Sequence, residues 1–427
     1  MSILNAMYSG VSGLNAEGEA LGVAGDNIAN SNTVGFKQSR AIFEDVLGNA
    51  AMHGPGGGVR MARTQQVFAQ GSLQNTGQAT DLALTGDGFF VVKGVVDGAS
   101  GNFYTRAGQL TLQKDGKLVN PQGLVVQGYA AQTNGGFAAG LSDVQLPTSA
   151  LAPKATGNLK ITANLDATAK VPTVPFDPTN PAATSNFSTS TKVFDSLGNA
   201  HTVDVYFTKT ADGAWDYHAL AAGAEVQGGT AGQGMEIATG SFTFDTNGAL
   251  QSVLPSGGGT VSFNGATPNQ ALTFDFGSSV AAGGTGTTGI TQYGSPSSVS
   301  SQSQDGYAAG DLSGVKVDSD GTVSGVYTNG QKVAVAQLAV AKFTATDGLA
   351  RSGHNLWAQT RESGEPALGP AGSGGRGAIA EGALEQSNVD IASQFVDLIS
   401  HQRAFQASSK TITTADEMLQ QLMSLKQ

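Results

Sequence analysis

The chain contains no cysteine. That excludes disulfides, thiol catalysis and cysteine-held metal centres, so stability must come from packing and assembly. Charge is scarce as well: 13% of the 427 residues are Asp, Glu, Lys or Arg, and the formal balance is −11. No basic stripe is present to neutralise phosphates, which excludes a nucleic-acid partner and disfavours anionic membrane surfaces. Long apolar runs are missing. The longest, Val333 to Ala341, is broken by Gln337 and falls far short of the ~18 residues that cross a bilayer, so no membrane insertion is expected. The first Lys or Arg is Lys37, which leaves no basic start to a secretory signal. The composition favours a protein that leaves the cell by a route reading no cleaved signal.

Chemistry is equally sparse. The sequence has no GxxxxGK[ST], HExxH or GxSxG. His53, His201, His218, His354 and His401 are scattered without metal-ligand spacing. Gly284–Gly289 spells GxGxxG but sits in a Gly/Thr stretch with neither strand before it nor helix after it. Asp318-Ser-Asp-Gly321 lacks the further ligands of a calcium loop and reads as a hairpin turn. No base, nucleophile and oxyanion donor assemble. The expectation is a chain without catalytic, cofactor-binding or metal residues.

What is present lies at the ends. Leu4, Met7, Val11, Leu14, Gly18, Leu21, Gly25 and Ile28 follow a 3-4 spacing, and Ile391, Phe395, Leu398, Gln402, Phe405, Ser409, Ile412, Asp416, Leu419 and Met423 repeat it. This is the heptad pattern of helices that pack side by side. The candidate assembly residues are Leu4, Met7, Val11, Leu14, Leu21, Ile28, Ile391, Phe395, Leu398, Phe405, Ile412, Leu419 and Met423. Two core helices of one domain would show the same stripes, but helices isolated at both termini by Gly-rich linkers favour contacts between subunits. Gly10, Gly13, Gly18, Gly22 and Gly25 each cost the first helix ~1 kcal/mol relative to Ala, leaving it marginal alone.

Between the ends the pattern has period two, with turns at Gly86–Gly88, Asp115-Gly116 and Asp320-Gly321. The expected fold is α+β and multi-domain: terminal helices in a coiled-coil-like layer around mainly-β middle and outer domains in nested order. Residues 1–30 and 386–427 form the helical domain, 31–75 and 365–385 the linkers, 76–146 and 296–364 an inner β domain, and 147–295 an inserted outer β domain. Phe36 to Asn49 reads as a short amphipathic turn. Gly54, Gly56, Gly57, Gly58, Gly372, Gly374 and Gly375 are candidate hinges between layers.

Particular segments resemble a known family. Asn27-Ile-Ala-Asn-Ser-Asn-Thr-Val-Gly-Phe-Lys-Gln-Ser-Arg40 is similar to the N-terminal signature of the flagellar rod and hook proteins. Its motif positions are Asn27, Asn30, Asn32, Thr33, Gly35, Phe36, Lys37 and Arg40. Glu381 to Asp390, ending in Asn388, Val389 and Asp390, resembles the C-terminal signature, as does Gln402-Arg403-Ala404-Phe405; Ser408 departs from the usual Asn there. Leu84–Phe90 and Tyr104–Gly108 match the family's first β domain, and Thr191–Val203 looks like the outer domain of its hook-type members. The resemblance covers about residues 1–146 and 296–427. It implies a subunit of the flagellar hook, exported unfolded through the flagellar type III apparatus, that polymerises with itself into a curved hollow tube and passes motor torque to the filament as a universal joint. It also implies the distal rod, hook cap and hook–filament junction protein as partners. A distal-rod-like component and a secreted β-rich adhesin or surface-binding module are the alternatives. The latter leaves the terminal heptads unexplained.

Overall fold

The computed structural model describes residues 3–47, 57–132, 135–254 and 259–424; the side chains of residues 3, 4 and 422 lie outside the described set. The chain divides into two compact units, residues 1–148 with 314–326 and 332–427, and residues 149–313 with 327–331.

In the first unit a helix at Ile3–Ala29 lies against a helix at Ile391–Ser424. The run Asn27–Gly35 ends the first helix, as its turn residues require. After it the chain enters a strand at Ser39–Asp45 that pairs antiparallel with Val59–Gln66. The amphipathic turn expected at 36–49 is therefore a hairpin strand over its described part. An irregularity between Ile42 and Phe43 interrupts the alternation of this strand, and both strands pack against the helix. The β body centres on Lys332–Lys342, which pairs with Thr322–Tyr327, Val125–Ala131 and Phe89–Val96. Phe89, Val91, Tyr104, Phe343, Leu349 and Trp357 form its core, with Phe68 packed on Trp357 at 5.1 Å between ring centroids. Two short ladders, Leu82–Thr85 with Ala378–Glu381 and Leu73–Asn75 with Ala383–Glu385, join stretches some 300 residues apart.

The second unit stacks two sheets. One is antiparallel, in the order 187–194, 200–211, 214–222, 234–244 and 250–254. The other is built on Asn158–Asp166. Their inner faces meet in a core containing Phe207, Trp215, Tyr217, Phe242, Phe274 and Phe276. Sequence reading closed this insert at residue 295. In the structure Ser298–Gln304 pairs with Asn158–Asp166 inside the second unit, which extends the insert to 313. Its polar run Ser-Val-Ser-Ser-Gln-Ser-Gln gave little strand signal because only one face of this edge strand is covered.

Candidate assembly surface

The two terminal helices run antiparallel. Gly10 faces Ile412, Gly13 faces Ser408, Gly18 faces Phe405 and Asn27 faces Gln394. A Cβ on Gly10 would sit 2.9 Å from Ile412 Cγ1 and 3.3 Å from the Ser408 carbonyl oxygen, so this glycine sets how closely the helices approach. Gly22 and Gly25 have nothing within 4 Å of a built Cβ and serve no such contact within the chain. Glu17 and His401 bridge the pair at 2.6 Å.

Burial follows a stripe different from the heptads. On the first helix the buried residues are Gly10, Gly13, Ala16, Ala20, Ala24 and Asn27, all small or polar. Met7, Leu14, Leu21 and Ile28 are half-buried and Val11 is exposed. On the second helix Leu398, Phe405, Ile412 and Leu419 turn toward the first, joined by buried Ala415. Ile391, Phe395 and Met423 are exposed, the last two by 50% and 75%, along with Val396 at 66% and Ile399. The side chain of Leu4 lies outside the described residues. So the predicted residues divide: half the second seam meets the partner helix within the chain, and most of the remainder faces outward. The small-residue stripe was missed because hydrophobicity ranks Leu and Val above Ala. Close helix packing instead selects for size, and the 10-13-16-20-24-27 spacing carried that signal.

Part of the signature, Asn27, Gly35, Phe36 and Lys37, is buried as a node beside Asn388. Asn27 donates to the Ser39 carbonyl (2.7 Å) and to Gln394 Oε1 (2.9 Å), and accepts from the Ser39 N–H. Asn388 accepts from the Gln38 N–H and donates to the Val67 and Ala69 carbonyls. Asp390 caps the C-terminal helix, accepting from the Ala392 N–H at 2.9 Å. Asn30 donates to Asp26 and accepts from Thr33. Gly35 takes φ +69°, and a Cβ there would meet the Ala107 N at 2.6 Å. Phe36 lies under the Arg351 guanidinium. Arg40 bonds Gln65 at the surface, and Asn32, Gln402 and Arg403 are exposed. Val389 and Ala404 are half-buried.

At the centre of the node lies an ion triad that sequence reading did not assemble. Lys37 Nζ is 2.6 Å from Glu385 Oε1, and both side chains are fully buried. Arg106 Nη1 is 3.4 Å from Glu385 Oε2 and stacks over Phe89. Glu385 Oε1 also accepts the Gly71 N–H, and Lys37 donates to the Ala69 carbonyl. Burial pushes the Lys37 ammonium below its ordinary range, against the opposing pull of Glu385. Each residue lay in a quoted motif, but nothing local in the sequence joins residues 37, 106 and 385.

Where they are described, the hinge candidates make specific contacts. Gly57 donates to the Val46 carbonyl, and Gly58, at φ +108°, packs on Ser12. Gly372 donates to Gly377, while Lys342 Nζ clasps the Gly375 carbonyl at 2.9 Å and Arg376 donates to Pro370 and Ser373 around Gly374. Side-chain cations supply the staples that the glycines lack. Gly54 and Gly56 lie outside the described residues. Gly284–Gly289 runs through a loop of the second unit. Among the described residues no group of three His, Asp or Glu could hold a metal, and no helix is long and apolar enough to cross a membrane.

Four family models match the chain in order: flagella basal body rod protein at 7–37, flagellar hook protein FlgE/F/G D1 domain at 83–164, flagellar basal body protein FlaE D2 domain at 164–307, and flagellar basal body rod FlgEFG protein C-terminal at 380–425. Flagellar hook protein FlgE of Salmonella typhimurium is 36% identical over 97% of this chain and 98% of its own length. That of Escherichia coli is 36% identical over 99% of this chain and 100% of its own, and that of Borreliella burgdorferi 33% identical over 99% and 100%. In fold, the crystal structure of Helicobacter pylori flagellar hook protein FlgE2 matches with a TM-score of 0.52 at 16% identity, covering 73% of this chain and 100% of that one.

Proposed function

We propose how the chain works on one premise: it belongs to the flagellar hook protein FlgE family and is a structural subunit of the hook, the part of the flagellum outside the cell. The terminal helix pair is the self-assembly element and lines the inner wall of the polymer. The observation that carries this reading is the outward-facing apolar set on the C-terminal helix, Ile391, Phe395, Val396, Ile399 and Met423. A monomer gains nothing by leaving these side chains in water, whereas an open array of copies covers them.

The glycines supply timing. Gly22 and Gly25 weaken the first helix without easing any contact inside the chain. The helix therefore completes only when neighbours add their contacts, which holds polymerisation back until subunits reach the growing tip. The chain travels there through the flagellar type III apparatus, and meets the distal rod, hook cap and hook–filament junction protein. A surface poor in charge and rich in Gly, Ser and Thr lets copies slide as the curved tube bends through each turn, with few strong ion pairs to break.

Removal of residues 1–28 or 388–427 should abolish polymer seen by electron microscopy while far-UV circular dichroism still reports the β units. Tubes of normal length would overturn the reading.

A further inference from the structure

The exposed ridge on the C-terminal helix has a complement on the same molecule. Phe395, Val396, Ile399 and Arg403 fall within an arc of about 100°. Leu398, His401, Phe405 and Ile412, which pack on the N-terminal helix, centre nearly opposite. The ridge therefore points away from the helix pair. On the N-terminal helix, a groove runs between the helix and the 39–66 hairpin in two connected clefts of 470 and 390 Å³. Glu19 and Met61 line both; Val23 and Leu349 furnish one end, Tyr8 and Val11 the other. Tyr8 is 70% exposed.

Charge and spacing fit these surfaces together. Glu19 and Arg403 are both exposed, and neither has an ion-pair partner among the described residues. Four residues separate Arg403 from Ile399, and four separate Glu19 from Val23, about 6 Å of helix in each case. An antiparallel approach, the sense already used within the chain, sets Arg403 on Glu19 and brings Ile399 level with Val23. Phe395 and Val396 then lie toward Leu349. Asp397 is on the far side of its helix. Ridge and groove are different surfaces of one chain, so the contact is heterologous and can repeat from copy to copy.

We propose that the C-terminal helix of one copy seats Phe395, Val396 and Ile399 in the groove between the N-terminal helix and hairpin of a second copy, with Arg403 paired to Glu19. The inference rests on self-polymerisation and names the contact that carries it.

The test uses full-length chains whose polymer is pelleted by sedimentation. Glu19→Arg and Arg403→Glu should each raise the concentration needed for assembly about tenfold, or ~1.4 kcal/mol per contact, and the double reversal should restore assembly to within about threefold. Because the chain has no cysteine, a Val23→Cys/Ile399→Cys variant reports the same contact independently of charge: oxidised polymer should run as a ladder of linked copies. Normal assembly by both single reversals, a double reversal no better than either single, or polymers that yield monomers only would overturn the contact. Failure of the unsubstituted chain to polymerise would overturn the assembly reading beneath it.

Discussion

Glu385→Ala is the most informative single perturbation of the node. It leaves Lys37 with no counter-charge and Arg106 with Asp87 alone, in a site where the Lys37 side chain is 0% and that of Arg106 4% exposed, and it strips the Gly71 amide of its acceptor. Breaking one partner out of a buried ion pair costs about 3–5 kcal/mol, and an orphaned buried amide about 1–3 more. The expected loss is thus at least about 4 kcal/mol, a large part of the 5–15 kcal/mol typical of a domain. The two tryptophans make the measurement specific. Trp215 lies in the core of the second unit and Trp357 in that of the first. In a Trp215→Phe background, urea unfolding followed by fluorescence reads the first unit alone. The triple substitution Lys37→Met, Arg106→Met and Glu385→Leu removes every charge together and should recover at least half of the loss. A pH series adds an independent sign. Burial already lowers Lys37 from its ordinary 10.5, and removing Glu385 lowers it further. The unfolded chain then binds the extra proton between the folded value and 10.5, so the variant's stability rises with pH across that window. A Glu385→Ala protein within about 1 kcal/mol of its background would refute the reasoning.

Other substitutions separate the roles of individual groups. Gly22→Ala should stabilise the first helix by about 0.5–1 kcal/mol, visible as greater helicity in unassembled chains, whereas Gly10→Leu should destabilise the helix pair by about 1–3 kcal/mol because it drives a side chain into Ile412; equal effects would refute the size argument. In the second unit burial raises the Asp305 carboxyl, but N–H donors from Asn158 and Gly157 with Lys154 outweigh it and hold it at about 2 against 3.8. Stability of that unit, followed through Trp215 in a Trp357→Phe background, should be flat above about pH 4. It should fall by about 1 kcal/mol as pH drops toward 2, and Asp305→Asn should flatten the decline. Tyr217 buries a hydroxyl with no hydrogen-bond partner among the described residues. Tyr217→Phe should therefore leave urea stability unchanged to within about 0.5 kcal/mol or raise it, and a loss above about 1.5 kcal/mol would point to a missed partner.

Turns and strand alternation were legible in the sequence because they are local. The Asp318–Gly321 turn lies where the sequence put it, between strands at 312–317 and 322–327, with Asp320 accepting the Thr322 amide. The terminal helices were legible from a period that survives their glycines. What could not be read is long-range. Lys37 is ordinarily a surface residue by type, and only a carboxylate 348 residues away makes its burial tolerable. The 39–66 hairpin gave a helical impression because Phe43 and Val46 fall at helical spacing; its partner strand lies beyond a glycine-rich segment that resembles a linker. The face of each helix turned inward depends on which surface is flat enough for a neighbour, and that is a property of the pair.

The 348-residue separation of Lys37 from Glu385 also sets a clock on synthesis. A ribosome adding roughly 5–20 residues per second delivers Glu385 about 20–70 s after Lys37. Throughout that interval the Lys37 ammonium lacks the acid it is buried with, while residues 149–313 are made as one contiguous stretch. The first unit therefore cannot close before nine-tenths of the chain has been delivered, whereas the second draws almost all of its residues from one stretch.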